Sequence, residues 1–151
     1  MIVRLAKMTD ISDIVAFAKQ ALERTNYREF PFNAVIARKT VKESMTKADA
    51  RVWVAEDEGR ICGLLIGQLW PMPMTHYQSA SDLAFLADKG GDLLLDAFIA
   101  WCKMRKNVVR IDMGISAGPR RRNSVSILFS RKGFAPSGEM FHMNMLPGEG
   151  Q

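Results

Sequence analysis

The chain has 151 residues, 48% hydrophobic and 25% charged, with 21 Lys and Arg against 16 Asp and Glu for a formal net charge of +5. That length predicts one domain, 1–151, able to bury roughly two thirds of its unfolded surface around one core, and the balance excludes a disordered, fibrous or repeat-built chain. The longest apolar run, Ile61 to Trp70, is interrupted by Gln68 and falls far short of the roughly 18 residues of a membrane span.

At the N-terminus, Asp10 and Asp13 interrupt any apolar run, so no signal peptide and a cytoplasmic location are expected. Ile2 to Ala6 reads as a strand. Thr9 is placed to cap a helix whose Ile11, Ile14, Val15, Ala18, Ala21 and Leu22 form an apolar stripe ending near Arg24. Tyr27 to Asn33, with Pro31, is a loop, and Ala34 to Ala48 a second helix presenting Val35, Ile36, Val41 and Met45. Arg51 to Glu56 and Ile61 to Leu69 make an antiparallel pair around the turn Asp57-Glu58-Gly59-Arg60. Cys62 and Cys102 read as small buried hydrophobes, not as a disulfide or metal ligands.

Trp70-Pro71-Met72-Pro73-Met74 is apolar, but two prolines remove ladder donors, which makes it a loop. It is either tucked over the core or exposed as a substrate or subunit contact, and the second alternative keeps a homodimer open. His76 and Tyr77 follow.

Ser81 to Phe134 carries the most information. Ser81 to Ala87 is a short buried strand, and Asp88-Lys89-Gly90-Gly91 breaks it and opens a helix. Leu94, Ala97, Phe98 and Trp101 recur at core-facing spacing, flanked by Leu95, Ile99 and Cys102. Val108 to Ser116 alternates as a strand, with Val109, Ile111, Met113 and Ile115 on one face and Arg110, Asp112 and Ser116 on the other. A central position is expected for it, with Arg110 and Asp112 partners on a half-buried face. Arg120 to Lys132 is a helix turning Val125, Leu128 and Phe129 inward, Gly133 ends it, and Glu139 to Leu146 is a last strand. The Pro-Gly-Glu-Gly-Gln tail is the one stretch that suggests disorder.

The β-α-β order demands a parallel strand pair, Asp82 to Leu86 beside Val109 to Ile115, diverging at their C-terminal ends where ligand sites form. Two glycines at a helix start leave backbone N–H groups unshielded and attractive to phosphate, although most such pairs are plain turns. Arg120, Arg121 and Arg122 form the dense basic cluster. No aromatic residue is interleaved with it, which favours a solvated helix start or a phosphate contact over nucleic acid.

This order, with the run "MGISAG" from Met113 to Gly118 and a helix closing on "RKGF" from Arg131 to Phe134, resembles the GCN5-related N-acetyltransferase (GNAT) family over nearly the whole chain. The resemblance implies an α/β (α+β) fold: a mixed, mostly antiparallel sheet with a splayed parallel strand pair and helices on both faces. It also implies acetyl-CoA as cofactor and an amine of a small molecule or peptide as acceptor, with no membrane partner. Asp88, Lys89, Gly90, Gly91 and Asp92 would then hold the pyrophosphate, and Leu83, Ala84, Phe85 and Leu86 would line the thioester arm. Ser116, Arg121, Asn123 and Phe129 would complete the cofactor wall.

Against the family's phosphate loop, which is Gln or Arg, two residues, Gly, one residue, then Gly or Ala, this chain has Leu86, Lys89 and Gly91, so the last glycine alone is kept. Asp88 and Asp92 set carboxylates beside the expected anion, offset by Lys89 and the arginine cluster. Family members often carry a tyrosine acid where this chain has Phe129, a core residue on its helix stripe. Ser126, Ser130 or water would substitute for it, and Asp82, Asp112, Glu56 and His76 are the residues able to serve as base. A bulky residue at Gly90 is expected to crowd the approach of the anion. A fold retained for binding or interaction without turnover is the alternative reading.

Overall fold

The computed structural model describes residues 1–116 and 118–147. Most of the Pro-Gly-Glu-Gly-Gln tail and the side chain of Arg120 lie outside what is described. The elements are β1 (Ile2–Leu5), a 3-10 turn (Met8–Asp10), α1 (Ile11–Leu22), α2 (Ala34–Thr46), β2 (Ala50–Asp57), β3 (Arg60–Pro71), β4 (Gln78–Ala87), α3 (Gly91–Lys103), β5 (Val108–Asp112) and α4 (Pro119–Arg131).

One five-stranded sheet runs in the order β1-β2-β3-β4-β5. The first three pairings are antiparallel, and β4 and β5 are parallel, as a helical crossover between neighbouring strands requires. On one face α1 and α2 bury Ile14, Val15 and Val41 against Val52, Val54, Leu64 and Ile66. On the other, α3 and α4 bury Leu94, Leu95, Phe98 and Phe129 against Trp53, Leu65 and Leu69. The α3 stripe read from the sequence is the buried one. Its seat depends on Gly67 of β3, where a Cβ would stand 2.5 Å from Phe98 Cε2.

Several expectations are corrected. Thr9 does not cap α1: Asp10 accepts the Lys7 N–H at 2.7 Å and holds Arg4 through both carboxylate oxygens at 2.7 and 3.0 Å. Arg4 also reaches Glu56 at 2.9 Å, so Glu56 belongs to a structural ion-pair cluster on β1 and β2. Val35 and Ile36 open α2 exposed, at 78% and 61%, because the inward stripe runs through Ala37, Val41 and Met45 and leaves them off it. β3 continues through Trp70 to Pro71, opposite Ser79 and Gln78 of β4, with proline at the strand end. The loop after it takes the exposed alternative: Trp70 is 51% exposed and Met74 fully so.

β5 is shorter than expected and lies at the sheet edge. Its register with β4 shifts between Gln78 and Ser79, which pair with Val108 and Arg110, so Val109 falls at the irregularity and is exposed. Glu139 to Leu146 is not a strand. Its alternation is strand-like, but a strand exists only with a ladder partner, and residues 139–146 make none.

Candidate functional site

β4 and β5 pair from Gln78↔Val108 to Ser81↔Asp112 and then separate. Past that point the β5-facing backbone groups of β4 look into a gap. Opposite, the β3 register jumps from Ile66↔Ala84 to Gly67↔Asp82, so Leu83 is an extra residue in the strand, a bulge. The gap opens into a cleft of about 430 Å³ at the C-terminal end of β4, walled by the end of α1, the start of α3, the segment after β5 and α4. That volume falls in the range of small-molecule sites.

At its floor Gly90 is the N-cap of α3, left-handed at φ +78. A side chain there would be strained, and its Cβ would press on Ala55 Cβ at 2.9 Å and Met1 Sδ at 3.0 Å. The expectation for Gly90 is therefore redirected: a larger residue meets the protein interior, not an approaching anion. Gly91 is the position whose Cβ would sit on the cleft side, in ordinary contact with Ala87 and Phe85 at 3.5 and 3.6 Å. Leu94 donates to the Gly90 carbonyl at 2.9 Å as the first helical bond, so the N–H groups of Gly91, Asp92 and Leu93 have no acceptor within the helix. Asp88 and Lys89 spend their amides on the Cys62 carbonyl, at 2.8 and 3.3 Å. The amides left open thus start at Gly91, two residues after Lys89.

Charge at the mouth is arranged by pairs. Arg24, at the end of α1, meets Asp88 at 2.7 Å. Lys89 turns away to Asp57 at 2.9 Å, which lowers the Asp57 carboxyl below its ordinary range. Arg121 leans from α4 over β4 and donates to the Ala87 carbonyl at 3.2 Å. One of its five N–H donors is used there, and the guanidinium stands at the cleft wall.

Asp82 is the titratable group deepest in the gap. Burial pushes its carboxyl up to about 6, opposed by the nearby backbone N–H groups of Asp82 itself and of Gly114 on the far side of the gap. It is thus a carboxylate near neutrality, aimed into a part-desolvated cleft.

Of the residues singled out from the sequence, Asp82, Phe85, Leu86, Asp88, Lys89, Gly90, Gly91, Asp92, Ser116 and Arg121 line the cleft. Leu83 is at the bulge beside it, and Ala84 packs toward the α1 face. Phe129 lies behind the wall at 7% exposure, its ring stacked on Phe85 at 6.3 Å and tilted against Phe134 at 5.4 Å. Asn123 and Ser130 are exposed on α4 and not at the cleft. Asp112 pairs with Arg110 at 2.7 Å, both about half exposed, on the outer edge. His76 sits in the exposed turn before β4 begins, at the opposite end of that strand from the α3 start. Arg24, Thr25 and Ser124 line the cleft without having been expected. A contact between residues 24 and 88 has no local signature in the chain.

No protein-family model and no curated protein matches the sequence. Solved structures do match. A GNAT family acetyltransferase from Staphylococcus aureus superposes with a TM-score of 0.62 at 19% identity, over 95% of this chain and 98% of that one. The chain has the GNAT fold. A predicted acetyltransferase with acetyl-CoA from Clostridium acetobutylicum gives 0.71 at 18% identity, over 95% and 96% of the two chains. A transcriptional regulator from Bacillus halodurans C-125 gives 0.74 at 17% identity, over 95% and 99%. The strand divergence and the glycine opening of α3 are where this chain's GNAT fold forms its cleft. Among the described residues no helix is long and apolar enough to cross a membrane.

Proposed function

We propose that this chain is a divergent GNAT-family N-acetyltransferase that uses acetyl-CoA and an amine of a small molecule or peptide. The observation that carries the reading is the single cleft that joins the β4–β5 gap to the open amides of α3, with Arg121 on its wall. Those groups fit the ligand: helix-start amides and a guanidinium suit a pyrophosphate, and a narrow gap lined by strand amides suits a thin amide-bearing arm. The Arg24–Asp88 pair neutralises one of the two carboxylates, Asp88 and Asp92, that line the cleft beside the anion's seat.

Acetyl-CoA supplies the acetyl group as a thioester. In this reading Gly91, Asp92, Leu93 and Arg121 hold the phosphates, and the gap-facing amides of Leu83 to Leu86 orient the arm. Asp82 is the base that takes the amine proton, directly or through one water; with its carboxyl near 6, it is ionised at neutral pH yet basic enough to accept. Phe129 supplies no acid. A thiolate of pKa about 8.5 departs without full protonation, so solvent at the open cleft suffices. Release of free thiol from acetyl-CoA, followed against a panel of amines, tests the reading: amine-dependent release is expected, and its loss in Asp82→Asn with cofactor binding intact locates the base.

The reading of a fold kept for binding alone draws on one observation, the apolar stack around Phe129. Saturable acetyl-CoA binding with no thiol release for any amine would favour it.

A further inference from the structure

The end of the sheet away from the cleft carries a concentration of unpaired positive charge. β2, β4 and β5 start at this end, and β3 and α3 finish there. The ten residues of β4 set it roughly 30 Å from the start of α3. Lys47, Arg51, Lys103, Arg105 and Lys106 gather here, and Asp49 is the one carboxylate beside them that no cation pairs. Among the described residues none of these five cations meets a carboxylate, whereas Arg24 and Lys89 at the cleft both do. Two of the five are held in place. The Arg51 and Arg105 guanidinium carbons stand 5.8 and 4.8 Å from the Trp101 ring centroid, and the same groups donate to the carbonyls of Ala50 and Ala48 at 2.9 and 3.1 Å. A guanidinium has five donors, so most of theirs remain open.

Exposed aromatic rings adjoin these cations, as they do not adjoin the arginine run of α4. Asn107, next to Lys106, accepts the Gln78 N–H at 2.7 Å, which sets the α3–β5 turn against the turn before β4. There Tyr77 and Trp70 are 52% and 51% exposed, and the Trp70 indole is fixed by its N–H to Ser81 Oγ at 2.9 Å. Single-stranded nucleic acid uses both features, its phosphates meeting cations along a path and its bases lying on flat rings or guanidinium planes. An acidic peptide or an anionic lipid surface would use the charge and leave the fixed rings without a role. We propose that this end of the sheet binds single-stranded nucleic acid without sequence preference, the five cations along its backbone and Trp70 and Tyr77 stacking its bases. The surface lies apart from the cleft, and the proposal stands or falls independently of the acetyl-transfer reading.

Titration of the full chain with oligothymidylate and oligouridylate of about 15 nucleotides, followed by tryptophan fluorescence, tests it. Trp53 and Trp101 are buried, so quenching reports Trp70. Saturable binding with quenching is expected at about 50 mM salt, and the affinity should fall with salt at a log–log slope of about −3. Lys47→Glu/Lys106→Glu, at two exposed positions, is expected to weaken binding about tenfold or more and to flatten the slope, with an unchanged circular dichroism spectrum. Trp70→Phe is expected to remove the quenching and keep most of the affinity. Should the lysine variant fail to fold, the salt slope of the unaltered chain and Trp70→Phe still decide. No binding at low salt overturns the proposal, as does binding without quenching or undiminished binding by the lysine variant. Equally tight binding to polyglutamate or to phosphatidylglycerol vesicles also overturns it, because the surface would then recognise charge alone.

Discussion

Arg24 at the end of α1 and Asp88 just past β4 meet at 2.7 Å across the mouth of the cleft. Their side chains are 46% and 43% exposed, so the pair adds little to stability. Its importance is electrostatic, because it cancels a carboxylate beside the proposed pyrophosphate seat. Arg24→Ala is expected to weaken acetyl-CoA binding by about fivefold to tenfold, and Arg24→Ala/Asp88→Asn to recover most of the loss. Calorimetric titration of the three proteins checks this. Additive losses would place Asp88 away from the anion.

Asp82 links activity and stability with opposite signs. Its carboxyl is raised to about 6 by burial, whereas an unfolded aspartate titrates near 3.9. The folded chain therefore binds more protons between those values, and the stability associated with Asp82 is present below about pH 4 and lost as pH rises through about 6. Asp82→Asn is expected to stabilise the protein at pH 7.5 by about 1–3 kcal/mol and to flatten that part of the pH–stability curve. The same residue predicts that kcat/KM for acetyl transfer rises with pH through an apparent pKa near 6. Denaturant melts across pH and a pH–rate profile test the two halves separately.

Adjacent glycines at the α3 start should fail differently. Gly90→Ala forces a left-handed Cβ into Ala55 and Met1 and is expected to cost about 1–3 kcal/mol of stability. Gly91→Ala has ordinary contacts and is expected to leave the melting temperature nearly unchanged while weakening acetyl-CoA binding. Thermal unfolding alongside calorimetry separates them, and equal melting temperatures would contradict the placement of Gly90.

Phe129→Tyr puts a hydroxyl into the stack formed with Phe85 and Phe134. With no polar partner in that stack, the substitution is expected to cost about 1–3 kcal/mol. A variant as stable as the parent would mean that the hydroxyl reaches the cleft past Phe85.

The helix stripes of α1 and α3 and the parallel order of β4 and β5 were legible because periodicity and chain order specify them locally, but the pairing itself falls on Gln78 to Ser81 and not on Asp82 to Leu86, which lie past the point of separation. Where a second element decides, sequence reading failed. Glu139 to Leu146 alternates like a strand, yet nothing in one chain shows whether a partner edge is available to it. Val35 and Ile36 look inward by residue type, but the phase of α2 against the sheet is set from Val41. At the cleft, Gly90, Gly91 and Asp82 stood out as residue types in a turn and a strand. Arg24 did not, because a helix end says nothing about the strand end it will face. The side chains of Lys89 and Arg121 divided their roles through Asp57 and Ala87, contacts that spacing does not encode.

Backbone amide NMR during titration with acetyl-CoA tests the central claim most directly. Saturable shifts are predicted to be largest at Gly91, Asp92 and Leu93, with a second group at Leu83 to Leu86 and smaller ones at Asp88 and Lys89, whose amides are committed to Cys62. Shifts that do not saturate, or that centre on α2 or on the turn at 72–77, would contradict the assignment of this cleft.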